Sequence, residues 1–191
     1  MPAPEAHPIH TIGHSTRSLV EFVELLKLGG VKRVVDIRSV PRSRTNPQFN
    51  LDVLPGQLAS WQIGYTHVSE LGGLRGKSKT VAAEINAFWV NQSFHNYADY
   101  ALGEPFHFGF TRLRTLGVER RCAIMCAETV WWRCHRRFIT DYLIAAGETV
   151  FHILGKNHVE PAKINVAAEL GPAGSLTYPA TPPTEVGRSQ P

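Results

Sequence analysis

Apolar and polar positions along this chain alternate between two periods. Ile9-His10-Thr11-Ile12 alternates as a short strand does, and it stops at Gly13-His14-Ser15-Thr16. Ser18 and Glu21 then stand at the spacing of a capping box, in which each side chain satisfies a free backbone N–H. Leu19, Phe22, Val23 and Leu26 follow at i, i+3, i+4 and i+7, one face of a helix, which Gly29-Gly30 ends. Arg33-Val34-Val35-Asp36-Ile37 reads as a buried strand. Strand, helix and strand in so short a stretch form a βαβ unit with parallel strands.

Residues 39–50 are polar, basic and proline-bearing, so they read as a loop. A short helix is predicted near Pro55, carrying Leu58 and Trp61. Gly64-Tyr65-Thr66-His67-Val68 reads as a strand leading into the glycine-rich segment 71–77. Residues 82–116 have helical character with a break near Gly103-Glu104-Pro105. Cys122-Ala123-Ile124-Met125-Cys126 is an apolar run of strand length. From Trp131 to Ala146 the period is helical, with Phe138, Ile139, Tyr142 and Leu143 as the inward stripe. Gly147 ends that helix, and 149–154 is predicted as the last strand.

Strands alternating with helices of these lengths predict an α/β fold, an open, mostly parallel Rossmann-like sheet with helices on both faces. The expected organisation is a short N-terminal extension over 1–8, a single α/β domain over 9–170, and a flexible Pro/Gly/Ser/Thr-rich tail over 171–191. No internal repeat is visible.

Composition narrows the class. The 191 residues are 43% hydrophobic and 19% charged, which suits one sizeable core and excludes an intrinsically disordered chain. No apolar run approaches the roughly 20 residues of a membrane span, and the start lacks the pattern of a signal peptide, so a cytoplasmic protein with no membrane partner is expected. Three cysteines do not build a disulfide framework, so thiols are expected. A net charge of +4 favours an anionic partner.

Open parallel sheets bind ligands outside the carboxyl ends of their strands. Those ends carry His14; then Asp36 and Arg38, followed by Arg42 and Arg44; then Glu70 and Arg75; and then Cys126 and Glu128, ahead of Cys134-His135-Arg136. If the strands are parallel, these groups converge. A cysteine between a strand end and a helix start sits in positive potential, so Cys126 is the candidate nucleophile. Glu128 or His135 would move protons. The bland alternative is that Cys122, Ile124 and Cys126 line one buried face, and that His135 is a core histidine. Arginine forks match phosphate oxygens, which makes Arg38, Arg42 and Arg44 candidate phosphate ligands, with Arg136 beside them. Trp131-Trp132 could stack on a base.

Two sharper schemes were weighed. A tyrosine-phosphatase loop needs an arginine after five residues, whereas Arg133 follows Cys126 after six, so that scheme is rejected. Structural zinc would want four ligands; Cys126, Cys134 and His135 give three, with His14 a conceivable fourth. No Gly-x-Gly-x-x-Gly, Walker or Gly-x-Ser-x-Gly pattern is present, and no cofactor is predicted.

Thr11-Ile12-Gly13-His14-Ser15, Val35-Asp36-Ile37-Arg38 with Pro41, Leu71-Gly72-Gly73, Tyr97-Ala98 with Tyr100, Cys126-Ala127-Glu128 and Cys134-His135-Arg136 resemble the bacterial and archaeal family grouped as "domain of unknown function 488". The resemblance implies a cytoplasmic α/β domain whose motif residues form an active or binding site: Cys126, Glu128, His135 and Arg136, with His14, Asp36 and Arg38. It supplies no reaction.

The expected function is an enzyme, a hydrolase or transferase, acting on a phosphate-bearing small molecule or nucleic acid. A non-catalytic anion-binding module and a thiol redox protein using Cys126 and Cys134 are the alternatives, and a homo-oligomer stays open.

Overall fold

The computed structural model describes residues 7–180. Alternating Ile9–Gly13 forms strand β1, and the Ser18 cap opens helix α1 (Leu19–Leu28). The Ser18 backbone N–H donates to Glu21 Oε2 at 2.8 Å, and Ser18 Oγ accepts from the Glu21 N–H at 3.3 Å, so the capping box is complete. There follow β2 (Arg33–Asp36), α2 (Leu54–Ala59), β3 (Gly64–His67), α3 (Gln92–Ala101) and α4 (Glu104–Glu119). The chain goes on through β4 (Cys122–Cys126), α5 (Arg136–Ala145), β5 (Val150–Gly155) and β6 (His158–Pro161).

These strands form one six-stranded sheet in the order β3-β2-β4-β1-β5-β6. All pairings from β3 to β5 are parallel, and β6 runs antiparallel to β5. This is the open, mostly parallel α/β sheet read from the pattern, of Rossmann-like type. Ile12, Val34, Ala123 and Met125 face α1 and α2, packing on Phe22, Leu26, Leu54 and Leu58. Val35, Ile37, Cys122, Ile124 and Cys126 face the other way, against Tyr97, Phe106, Leu113, Phe138 and Ile139 of α3, α4 and α5. Both faces are therefore covered, which is why the strands read as apolar runs. Among the described residues no helix is long and apolar enough to cross a membrane.

The topology also locates a crevice. β1 and β2 leave the sheet toward the α1 and α2 face, whereas β4, lying between them, leaves toward α5 on the opposite face. Connections that part in this way open a gap at the carboxyl edge, the usual ligand position in such sheets.

Four local expectations are corrected. Residues 149–154 are not the last strand, because β6 returns along β5 and a small hairpin, β7 (Glu169–Leu170) with β8 (Leu176–Thr177), follows. Trp61 lies beyond α2 and is exposed, with Lys27 Nζ 4.3 Å from its ring centroid. The helix expected from Trp131 is broken at Cys134, whose backbone is extended (φ −132°, ψ 151°) between a short 3-10 turn and α5.

Finally, the expected tail is not free over its first part. Leu176 and Tyr178 are buried in the α3–α5 core, and the Tyr178 hydroxyl donates to Asp141 of α5 at 2.9 Å. Residues 1–6 of the expected extension and 181–191 of the tail lie outside the described residues.

Candidate functional site

At the carboxyl end of β2, Asp36 is fully buried and turned toward Arg38. It accepts from Arg38 Nε at 2.9 Å, from Arg38 Nη2 at 2.5 Å and from the Tyr65 hydroxyl at 2.6 Å. Arg38 also donates to the Phe49 carbonyl at 2.6 Å, and its Nη1 lies 3.2 Å from His14 Nε2. His14 Nδ1 is 2.8 Å from the Ser15 carbonyl, which can only accept, so Nδ1 carries the proton and Nε2 accepts from Arg38. Burial and the Arg38 charge hold the His14 pKa down at about 4, against the opposing hydrogen bond to Ser15. His14 is thus neutral at physiological pH. Arg38 and His14 form one wall of the cleft, and Asp36 braces it from behind, outside the lining.

The floor is sulfur and imidazole. Cys126 is the last residue of β4, opposite Gly13 in the register, and Cys134 and His135 immediately precede α5. Their Sγ and ring nitrogen atoms lie within 4.8 Å of one another. His135 Nε2 is 3.0 Å from the Ile37 carbonyl and therefore carries the proton, which leaves Nδ1 as a lone pair 3.6 Å from Cys134 Sγ. The break at Cys134 has a local cause: its sulfur accepts from the backbone N–H and from Nε of Arg136, both at 3.4 Å, as a capping side chain would.

The two sulfurs sit in different electrostatic surroundings. Burial raises the Cys134 pKa, but the Cys126 thiol hydrogen bond and Arg136 outweigh it and bring it to about 6. Cys126, beside Cys134 and buried, is pushed up to about 12. The Arg136 donors thus favour negative charge on Cys134 rather than on Cys126. The two sulfurs lie within 4.8 Å of each other although eight residues separate them in the chain.

Above this floor lies a cleft of about 480 Å³ lined by the loops after β1, β2, β3 and β4 and by the starts of α3 and α5. Its volume is in the range of small-molecule pockets. A family model described as "Domain of unknown function DUF488" matches residues 18–143, about two thirds of the chain. The chain belongs to the DUF488 family. No curated protein and no solved structure matches it significantly. The DUF488 match takes in Asp36, Arg38 and the whole Cys126–Arg136 segment, while His14 lies just ahead of it.

In this DUF488 chain the structure brings His14, Arg38, Arg42, Cys126, Glu128, Cys134 and His135 to one cleft. Glu128 is exposed at the lip. Arg44 is exposed but outside the lining, and buried Arg136 donates to the Glu128 carbonyl at 2.5 Å rather than facing the cleft. Trp131 stacks on His152, with ring centroids 4.3 Å apart, and the adjacent Trp132 is exposed, so the pair is split.

Sequence reasoning missed Ser39, Ser43, Ser93 and Phe94 as lining residues, it gave Arg133 no ligand role, and Gly73 entered only through the family resemblance. Gly73 has a packing signature: a Cβ there would lie 2.4 Å from His135 Nδ1. The loop holding it is fixed by the hydroxyls of Tyr97 and Tyr100, which donate to the Leu71 and Glu70 carbonyls at 2.8 and 2.7 Å.

Proposed function

We propose that this DUF488 chain is an enzyme, a hydrolase or transferase, acting on a phosphate-bearing substrate such as a nucleotide or a nucleic-acid end. The observation that carries this reading is one cleft with the Cys126–Cys134–His135 cluster as its floor and two arginines at its rim. Arg42 and Arg133 are exposed and form no ion pair among the described residues. Their forks are free to take phosphate oxygens, in contrast to Arg38 and Arg136, which are spent on the protein. The cluster would supply or hold the attacking group, Glu128 would carry the proton, and the Arg38–His14 wall, braced by Asp36, would fix the geometry. A purely binding module has no use for reactive groups on the cleft floor.

The test joins binding to turnover. Titration calorimetry with pyrophosphate and adenosine monophosphate should show affinity falling about tenfold or more in the Arg42→Ala/Arg133→Ala double variant, the worth of a lost charge-assisted contact. A panel of phosphomonoesters and diesters should contain a substrate whose turnover is abolished by Cys134→Ala. Unchanged affinity in the double variant, or full turnover in Cys134→Ala, would sink the proposal.

A further inference from the structure

The floor cluster has the form of a ligand set rather than of a lone nucleophile with its base. Cys126 at the end of β4 and the adjacent Cys134 and His135 ahead of α5 place their donor atoms within 4.8 Å of one another. In a tetrahedral zinc centre, Zn–S bonds of about 2.3 Å and Zn–N bonds of about 2.0–2.1 Å give an S···N edge of about 3.6 Å. Cys134 Sγ and His135 Nδ1 are 3.6 Å apart. The imidazole is also oriented as a ligand: Nε2–H is donated to the Ile37 carbonyl at 3.0 Å, leaving the Nδ1 lone pair directed at the cluster. A metal-bound histidine characteristically gives its other N–H to such an acceptor. Cys134 further receives two N–H donors from Arg136, the outer-shell support that steadies a thiolate ligand.

A disulfide between Cys126 and Cys134 would account for the two sulfurs but not for the aimed imidazole. His14 is not a fourth ligand, because Arg38 and the Ser15 carbonyl occupy both of its nitrogens.

We infer that Cys126, Cys134 and His135 form a zinc(II) site with three protein ligands and its fourth position facing the cleft. The inference rests on the reading of that cleft as an active site and names what its floor holds. Thiolate and imidazole donors in a tetrahedral set select zinc over harder cations. Three ligands with an open position are the pattern of catalytic rather than structural zinc, which would lower the pKa of a bound water to about 7.

The experiment uses the full chain, reduced with a phosphine and incubated with zinc(II), then desalted and measured by elemental analysis. Cobalt(II) replaces zinc in a parallel sample. The expected result is a single zinc per chain, with intense visible bands of tetrahedral cobalt and a near-ultraviolet thiolate-to-cobalt band in the unmutated protein. Cys122→Ser should keep both, since Cys122 lies at the far end of β4 and donates to the Arg120 carbonyl. Cys126→Ser/Cys134→Ser and His135→Ala should lose stoichiometric zinc.

Substoichiometric zinc in fully reduced wild-type protein, a cobalt spectrum without the thiolate band, or retention of metal by the double cysteine variant would overturn the site. Because the wild-type spectrum needs no variant, a variant that misfolds leaves the test intact. Pyrophosphate binding through Arg42 and Arg133 in metal-free protein is read separately, so failure of the zinc site and failure of the phosphate cleft give different results.

Discussion

A methyl group added at Gly13 would lie 1.8 Å from the Glu128 carbonyl oxygen and 2.7 Å from its carbon, both backbone atoms that cannot step aside. Gly13→Ala should therefore force β1 away from the loop after β4. The expected loss is about 3 kcal/mol or more in denaturant unfolding, in the range of severe overpacking. Gly56 in α2 has nothing within 4 Å of its virtual Cβ, so Gly56→Ala should instead stabilise by about 0.5–1 kcal/mol through helix propensity. Equal effects at the two positions would contradict the packing argument. Gly73→Ala is the more informative change, because the three atoms nearest its methyl all belong to the His135 ring. It should leave the unfolding midpoint nearly unchanged while displacing Nδ1 and weakening zinc about tenfold. At this scale Cys126, Cys134, His135 and Glu128 were legible as chemistry. The demand for glycine at 13 and 73 was not, since it arises from contacts with distant parts of the chain.

Helix α5 links the site to the C-terminal strap. Its first turn receives Cys134 and His135, and its middle holds the strap through Asp141, which accepts from the Asn165 N–H at 2.9 Å and from the Tyr178 hydroxyl. Burial raises the Asp141 pKa to about 6, against those hydrogen bonds and the nearby Arg137 charge. The unfolded carboxyl titrates near 3.8, so between these values the folded chain holds a proton that the unfolded chain has lost. Stability from this group is present below pH 3.8 and is lost as pH rises through about 6, by on the order of 2–3 kcal/mol. Asp141→Asn should remove that slope: the difference in unfolding free energy between variant and wild type should grow in the variant's favour from pH 4 to pH 7. A constant difference would show that Asp141 does not titrate in that window. The inward stripe of α5 was legible from its period. The break at Cys134 was not, because apolar spacing runs on through it and only the Arg136 donors explain it. The strap was hidden by composition, with Leu176 and Tyr178 set among prolines, glycines and serines.

For the whole molecule, the decisive fact is that β4 lies between β1 and β2. Pattern reading supplied strands and parallel connections but no spatial order. The rule about carboxyl ends located the site without that order, whereas the identity of the wall and floor needed it. The antiparallel β6 escaped because its mostly exposed residues carry no strong alternation. Charge belongs to this scale too. The net charge is +4, and among the described residues the cleft-lining cations free to meet a ligand are Arg42 and Arg133. Raising salt from about 0.01 to 0.15 M, which shortens the screening length from about 30 to 8 Å, should weaken pyrophosphate binding to wild type. The Arg42→Ala/Arg133→Ala variant should respond much less. Equal salt sensitivity would place the anion elsewhere.

The close crossing at Gly13 has an energetic corollary for recognition. The Ser15 N–H donates to the Ala127 carbonyl at 3.0 Å, and Arg136 clasps the Glu128 carbonyl from the other side, so the backbone beneath the cleft is tied from both flanks before any ligand arrives. An incoming anion then has only the long, solvated side chains of Arg42 and Arg133 to immobilise, at about 0.5–1.5 kcal/mol each. Capture should proceed as docking onto a finished surface, with association rates that follow encounter frequency and carry no slow isomerisation phase.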